Sequence, residues 1–228
     1  MKDNNAKLSH THEVYAAVFK KSVTGIRGIL QQGRKCFRDY RRKPGKRFHI
    51  RCEDRVFMEE SILPALACLP DGTTILFVGI EWYTSHYERY FYNSGVTFIT
   101  CDIELSYSSY GSTMGHITSD IQNITRIMGL DVYDVVIITG VFGYGVDTEE
   151  QFHKTIENLY SIIKDKGILL VGWDRERSIE PNSRNIDIIR QYFDPIDGFL
   201  GLPFHKSFIK SKHEFHIFQK NVQKKPVD

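Results

Sequence analysis

Apolar residues in this chain fall into short unbroken runs separated by polar stretches with helical spacing. Strand-like runs stand at Thr74 to Gly79, Val96 to Cys101, Asp134 to Thr139 and Gly167 to Gly172, with a shorter one near His116 and Ile117. They are nearly continuous in Ile, Leu, Val and Phe instead of alternating, as in strands covered on both faces in a parallel sheet. Segments near Ser85 to Tyr92, Ile121 to Met128 and Glu149 to Lys164 carry helical patterns between them. Such helices supply crossovers, right-handed by the usual rule. Strand alternating with helix predicts a doubly wound, mostly parallel α/β sheet. Near the end, Phe199 to Leu202 and His213 to Phe218 read as two strands joined by a loop, an antiparallel C-terminal hairpin.

The region ahead of the sheet is different. Val14, Ala17, Val18, Val23, Ile26, Ile29 and Leu30 recur at roughly helical spacing between Thr11 and Tyr40, with glycines at 25, 28 and 33 as breaks. A basic stretch runs from Arg34 to Arg51, opposed locally by Asp39. Asp54 is placed to cap a helix carrying Val56, Phe57, Ile62, Leu63 and Leu66, kinked or restarted at Pro64. Pro70-Asp71-Gly72 then closes it as a turn. The pattern divides the chain into an N-terminal helical and basic segment, 1–71, expected to act as a lid, and an α/β domain, 72–228.

Composition narrows the function classes. A chain of 228 residues, 41% hydrophobic and 25% charged, can bury a real core. A net charge of +2 argues against a general nucleic-acid binder. The basic stretch carries few interleaved aromatics, Phe37, Tyr40 and Phe48, so a solvated face is favoured over a nucleic-acid platform. The N-terminus lacks the apolar core of a signal peptide, and runs such as Val135 to Ile138 are too short to cross a bilayer. Cys36, Cys52, Cys68 and Cys101 are scattered without close pairs. Reduced thiols and a cytoplasmic location are therefore expected. His10 with His12, and His213 with His216, have no sequence neighbours that complete a metal site, so no metal is expected.

In open α/β sheets ligands bind outside the carboxyl ends of the strands. Here those ends are followed by Gly79-Ile80-Glu81-Trp82-Tyr83-Thr84, by Asp102, by Asp120-Ile121, by Gly140-Val141-Phe142-Gly143-Tyr144 and by Trp173-Asp174. An acid after the second strand suits both hydroxyls of a ribose, which points to Asp102. Asp120 can accept from an adenine amino group while Ile121 packs on the base. Asp120 serves equally as the N-cap of the following helix, and Trp82, Tyr83 and Tyr87 are equally readable as packing.

At these residues the chain resembles the class I S-adenosylmethionine-dependent methyltransferases, a Rossmann-like superfamily. The matching segments are ILFVGIEWYT, VTFITCDIE, ITSDIQNI, YDVVIITGVFGYG and IIKDKGILLVGWD, in family order across about residues 72 to 218. The resemblance implies S-adenosylmethionine as cofactor. It implies Gly79 beside the methionine moiety, Asp102 on the ribose, Asp120 and Ile121 on the adenine, and Gly140 with Val141 as the floor near the sulfonium. The first loop departs from the family pattern: Phe77 stands on the strand, and Glu81 and Tyr83 replace later glycines. Glu81 is then assigned to the cofactor amino group and Tyr83 to packing over it.

A nicotinamide-dinucleotide site needs several glycines in that first turn, and only Gly79 is present. Gly111 to Gly115 lacks the Lys-Ser or Lys-Thr ending of a phosphate loop. The leading expectation is a methyltransferase acting on a small-molecule or carbohydrate acceptor, an anionic one included. Tyr144, Asp174 and His205 are the candidates to assist as catalytic residues on loops at the strand ends. The alternatives are a noncatalytic Rossmann-like binding domain that has lost the glycine-rich loop, and an RNA-directed methyltransferase.

Overall fold

A computed structural model describes residues 52–177 and 183–224, with side chains of the second stretch described from 185 onward. The expected helices between Thr11 and Tyr40, the basic stretch, His10, His12 and the terminal Lys225 and Pro226 lie outside the described residues.

Among the described residues the elements are helix α1 (Glu53–Phe57), a π-helical turn (Met58–Ile62), α2 (Leu63–Leu66), β1 (Thr74–Val78), β2 (Thr97–Asp102), β3 (His116–Thr118), α3 (Thr125–Met128), β4 (Tyr133–Thr139), α4 (Glu149–Ile162), β5 (Ile163–Asp174), α5 (Ser183–Arg190), β6 (Phe193–Pro195), β7 (His205–Ser207) and β8 (His213–Lys220). They build one sheet in the order β3-β2-β1-β4-β5-β8-β6, with β7 also on β8. β1 to β5 pair in parallel, and β8 runs antiparallel to β5. The doubly wound α/β expectation with a reversed C-terminal end is observed.

The apolar runs work as sheet interior because both faces are covered. Leu76, Val78, Val136, Ile138, Leu169 and Val171 face one core with Phe152, Ile156 and Leu159 of α4. Ile75, Phe77, Val135, Ile137, Ile168 and Leu170 face a second core with Met58, Ile62, Leu63 and Leu66. The segment ahead of β1 thus packs on the sheet. Pro64 stands at the start of α2, directly after the π-helical turn; its missing N–H and its ring disfavour an uninterrupted α-helix there. Cys52, not Asp54, occupies the N-cap of α1, and Asp54 lies buried in its first turn.

Three further expectations differ in detail. The β1–β2 crossover is a five-residue 3₁₀ helix, Tyr87–Phe91, not an α-helix. Its aromatics pack against the sheet, Phe91 stacked on Phe98 at 4.7 Å and Tyr87 edge-on to Phe77 at 5.6 Å. The β3–β4 connection likewise begins as a 3₁₀ turn, Ile121–Asn123, before α3. Phe199 to Leu202 is a turn instead of a strand, because Gly198, Leu200 and Gly201 all have φ between 52° and 78°; the strand beside β8 is β7. α4 begins on a capping box, with Thr148 Oγ1 accepting from the Gln151 amide and the Gln151 side chain accepting from the Thr148 amide.

The 3₁₀ helix is tied down by Glu88. Its carboxylate accepts from Tyr92 Oη at 2.6 Å, Ser112 Oγ at 3.0 Å, and the Thr113 amide and hydroxyl at 2.6 and 2.9 Å. Burial alone would raise this acid, but those donors outweigh it and hold it below its ordinary 4.5. A carboxylate with a lowered folded pKa stabilises above its unfolded value and loses that contribution as pH falls through the folded one. Glu88→Gln should therefore cost about 1–3 kcal/mol in urea denaturation at pH 7. The gap between variant and parent should close as the pH is lowered beneath the ordinary glutamate value of 4.5.

Candidate active site at the strand ends

Gly79 follows β1 directly with φ of +89°, a conformation in which a side chain is strained. Space forbids one as well. A Cβ there would lie 2.0 Å from the Thr139 carbonyl oxygen and 3.0 Å from Val141 Cγ2. The glycine lets the loop after β1 press against the end of β4, while its amide donates to Cys101 O at 3.1 Å. Gly140 also has positive φ, +68°, but nothing lies within 4 Å of where its Cβ would stand. The end of β4 therefore opens onto free space beside the packed Gly79–Val141 contact.

Asp102, the last residue of β2, holds this arrangement. Its Oδ2 accepts from the Ile80 amide at 2.9 Å and its Oδ1 from the Glu104 amide at 2.9 Å. Burial pushes its pKa up, against the pull of those two amides. Each carboxylate oxygen has about two acceptor positions, so one on each oxygen is left for a further donor. Asp120 accepts from the Gln122 amide at 2.9 Å and caps the 3₁₀ turn, and Ile121, 4% exposed, packs in the core with Ile124 and Val136.

The loop after β1 closes on its own hydroxyl, since Thr84 Oγ1 accepts from the Glu81 amide and donates to the Glu81 carbonyl. The Glu81 carboxylate accepts from Tyr107 Oη at 3.4 Å. The Tyr83 hydroxyl accepts from Arg55 Nη2 at 2.8 Å, and the guanidinium lies 4.3 Å from the Tyr83 ring centroid. Burial raises the Tyr83 phenol and Arg55 opposes that rise. Tyr144 is 52% exposed, with the Arg177 guanidinium 5.0 Å above its ring. Burial of its hydroxyl end raises its pKa, and the charges that act on it include Arg177, Asp174, Arg55 and Glu81. Asp174 ends β5 and accepts from the Glu176 amide at 2.9 Å.

The structure thus brings Glu81, Tyr83, Tyr144 and Asp174 into one polar group above the carboxyl ends of β1, β4 and β5, with Gly79, Asp102, Gly140 and Val141 beside it. His205 is elsewhere. It lies on β7, across β8 from β5, not on a strand-end loop.

Two contributors have roles that the sequence pattern does not show, Asp54 being expected only as a helix cap. Arg55, on α1, approaches Tyr83 from 28 positions away. Asp54 is 5% exposed, its Oδ2 3.7 Å from Arg55 Nε and its Oδ1 without a hydrogen-bond partner. The sequence signal was the charged run Glu53-Asp54-Arg55 that opens the helix. His213, at the start of β8, is 8% exposed and reaches Thr139 Oγ1 at 3.5 Å.

Gly79→Ala should lower stability by about 2 kcal/mol or more, combining backbone strain with a clash. Gly140→Ala, with open space around it, should cost about 1–2 kcal/mol from φ alone. Chemical denaturation of both variants checks the order; equal costs would mean that the loop relaxes away from Thr139.

No family model matches this chain, and no curated protein matches it. Solved structures do. The N-methyltransferase NodS from Bradyrhizobium japonicum WM9, in complex with S-adenosyl-L-homocysteine, is similar with a TM-score of 0.59 at 11% identity, over 82% of this chain and 97% of that one. A TehB-like SAM-dependent methyltransferase from Corynebacterium glutamicum ATCC 13032 Kitasato is similar with a TM-score of 0.51 at 14% identity, over 73% of this chain and 94% of that one. These likenesses show the fold: a Rossmann-like α/β sheet with an antiparallel C-terminal hairpin. Among the described residues, no helix is long and apolar enough to cross a membrane.

Proposed function

We propose that this protein is an S-adenosylmethionine-dependent methyltransferase whose cofactor lies over the carboxyl ends of β1, β2 and β4. The observation that carries this reading is Asp102. Its two oxygens each keep an acceptor position after bonding Ile80 and Glu104, a pair matched to the vicinal hydroxyls of a ribose. The free space at Gly140 supports a ligand beside it. The fold shared with a structure that binds S-adenosyl-L-homocysteine agrees.

In this reading Asp102 holds the ribose, Asp120 and Ile121 border the adenine, and Gly79, Gly140 and Val141 form the backbone floor. Glu81 receives the cofactor amino group and Tyr83 packs over it. The cofactor supplies an electrophilic methyl group on a sulfonium. The protein's contribution is to hold donor and acceptor close and aligned, which removes much of the barrier to a bimolecular step. Tyr144 and Asp174 border the acceptor side, where either can orient or take a proton from an acceptor hydroxyl or amine. Arg55 and Arg177 lie against Tyr83 and Tyr144, which supports a small anionic or sugar-bearing acceptor. Of the segment 1–71, expected as a lid, the described part packs on the sheet through Met58, Ile62, Leu63 and Leu66. Cys52, Cys68 and Cys101 are free thiols, in keeping with the reducing cytosol.

A second reading, a noncatalytic binding domain, is favoured by one feature: Asp102 already bridges two backbone amides and so has a purely structural occupation. Calorimetry with S-adenosylhomocysteine separates the two. The methyltransferase reading predicts saturable heat for the parent chain. For Asp102→Ala it predicts affinity reduced at least tenfold, because each charge-assisted hydrogen bond contributes about 1.5–3 kcal/mol. A parent chain that binds neither this product nor S-adenosylmethionine would leave only the binding-domain reading.

A further inference from the structure

The sheet edge beyond β5 carries a polar cluster that methyl transfer does not use. β8 pairs with β5 so that Glu214 stands opposite Trp173 and His216 opposite Val171. β7, on the other side, sets His205 opposite His216. Paired residues share a face, and residues two apart in a strand do too. Three side chains therefore converge: His205 Nε2 is 3.2 Å from Glu214 Oε2, and His216 Nε2 is 3.4 Å from Glu214 Oε1. The three donor atoms lie within 4.8 Å of one another.

Burial makes this cluster unusual. Glu214 is 6% exposed and His216 3%. One Glu214 oxygen accepts from Trp173 Nε1 at 2.5 Å. His216, enclosed by Trp173, Phe204, Phe218 and the stacked ring of His205, has neither ring nitrogen in a hydrogen bond. A buried imidazole whose one polar neighbour, the Glu214 carboxylate close to its Nε2, is not in hydrogen-bonding geometry is costly and calls for an explanation. Donor atoms on one tetrahedral zinc ion, each about 2.0–2.2 Å from it, lie about 3.3–3.6 Å apart. The separations of 3.2 Å from His205 Nε2 to Oε2 and 3.4 Å from His216 Nε2 to Oε1 are to different oxygens of one carboxylate and come near that range; one donor atom from each of the three residues lies within 4.8 Å of the others.

We propose that His205, Glu214 and His216 form a binding site for a divalent zinc-like ion. Two imidazoles and one carboxylate are a borderline donor set suited to Zn²⁺, and three protein ligands leave a fourth position for water or another donor. The exposed side of His205, 43% accessible, gives the ion its route from solvent. Trp173 fixes the carboxylate from behind and also touches Phe142, ring centroids 6.2 Å apart. The site is thereby packed against the loop that follows β4. His213 and His216 differ by three positions and face opposite sides of β8, so the ligand partners of His216 come from i−2 and from another strand.

Cobalt substitution tests this on the full chain after chelator treatment. Titration with Co²⁺ should give saturable visible absorption at one ion per chain, displaced by Zn²⁺. His205→Ala, an exposed change that spares the core, should weaken Co²⁺ binding at least tenfold with an unaltered circular dichroism spectrum. Glu214→Gln keeps an acceptor for Trp173 and should weaken it similarly. Absence of a saturable band, or binding of equal strength in parent and His205→Ala, would overturn the proposal. Neither outcome depends on cofactor binding, so it can fail or hold independently of the methyltransferase reading.

Discussion

The carboxylate of Asp102 is the constraint on which the strand-end geometry rests. It ends β2 and reaches sideways to the backbone after β1, accepting the Ile80 amide while also accepting Glu104. A half-buried acid with a raised pKa is held there by two amides. The loop after β1 therefore has a fixed position even though it lacks the glycines that usually shape such a turn. Gly79 remains the indispensable one, because β4 leaves no room for a side chain.

The helix segment before the sheet completes that frame. Met58, Ile62, Leu63 and Leu66 cover one face of the central strands, which anchors α1 and carries Asp54 and Arg55 to the carboxyl edge. Arg55 then compensates for the missing glycines in another way: it takes the Tyr83 hydroxyl as an acceptor and its ring as a surface. A bulky loop residue is thereby held aside by a buried cation whose charge opposes the burial penalty of the phenol. Sheet packing, a buried guanidinium and one carboxylate act together to keep the loop in place.

Much of this was legible in the sequence, and the physical reasons for the remainder differ. Continuous runs such as TILFV and VVII are readable because both faces are buried, so the existence of these strands follows from the apolar pattern. β5 begins at Ile163, earlier than expected, because Lys164 to Lys166 carry no apolar signal though Ile163 pairs with Tyr133. β7 was hidden for the same reason, since His205, Lys206 and Ser207 are polar and exposed and carry no apolar signal. Glu88 resembled a surface helix residue, yet its charge turns inward to a loop 24 and 25 positions away. Asp102 stood out because its place after a strand carries meaning; Arg55 did not, because its partner is distant in sequence. The grouping of His205 with Glu214 and His216 required strand register, which periodicity cannot supply.

The central claim is that Asp102 keeps its remaining acceptor positions for the sugar of an adenosyl ligand. Diffraction from crystals grown with S-adenosylhomocysteine tests it most directly. The expected result is density for the nucleoside over the ends of β1, β2 and β4, with both ribose hydroxyls donating to the Asp102 carboxylate and the Ile80 and Glu104 bonds intact. Density for the ligand elsewhere, or an Asp102 carboxylate closed off by the protein's own side chains at saturating ligand, would contradict it.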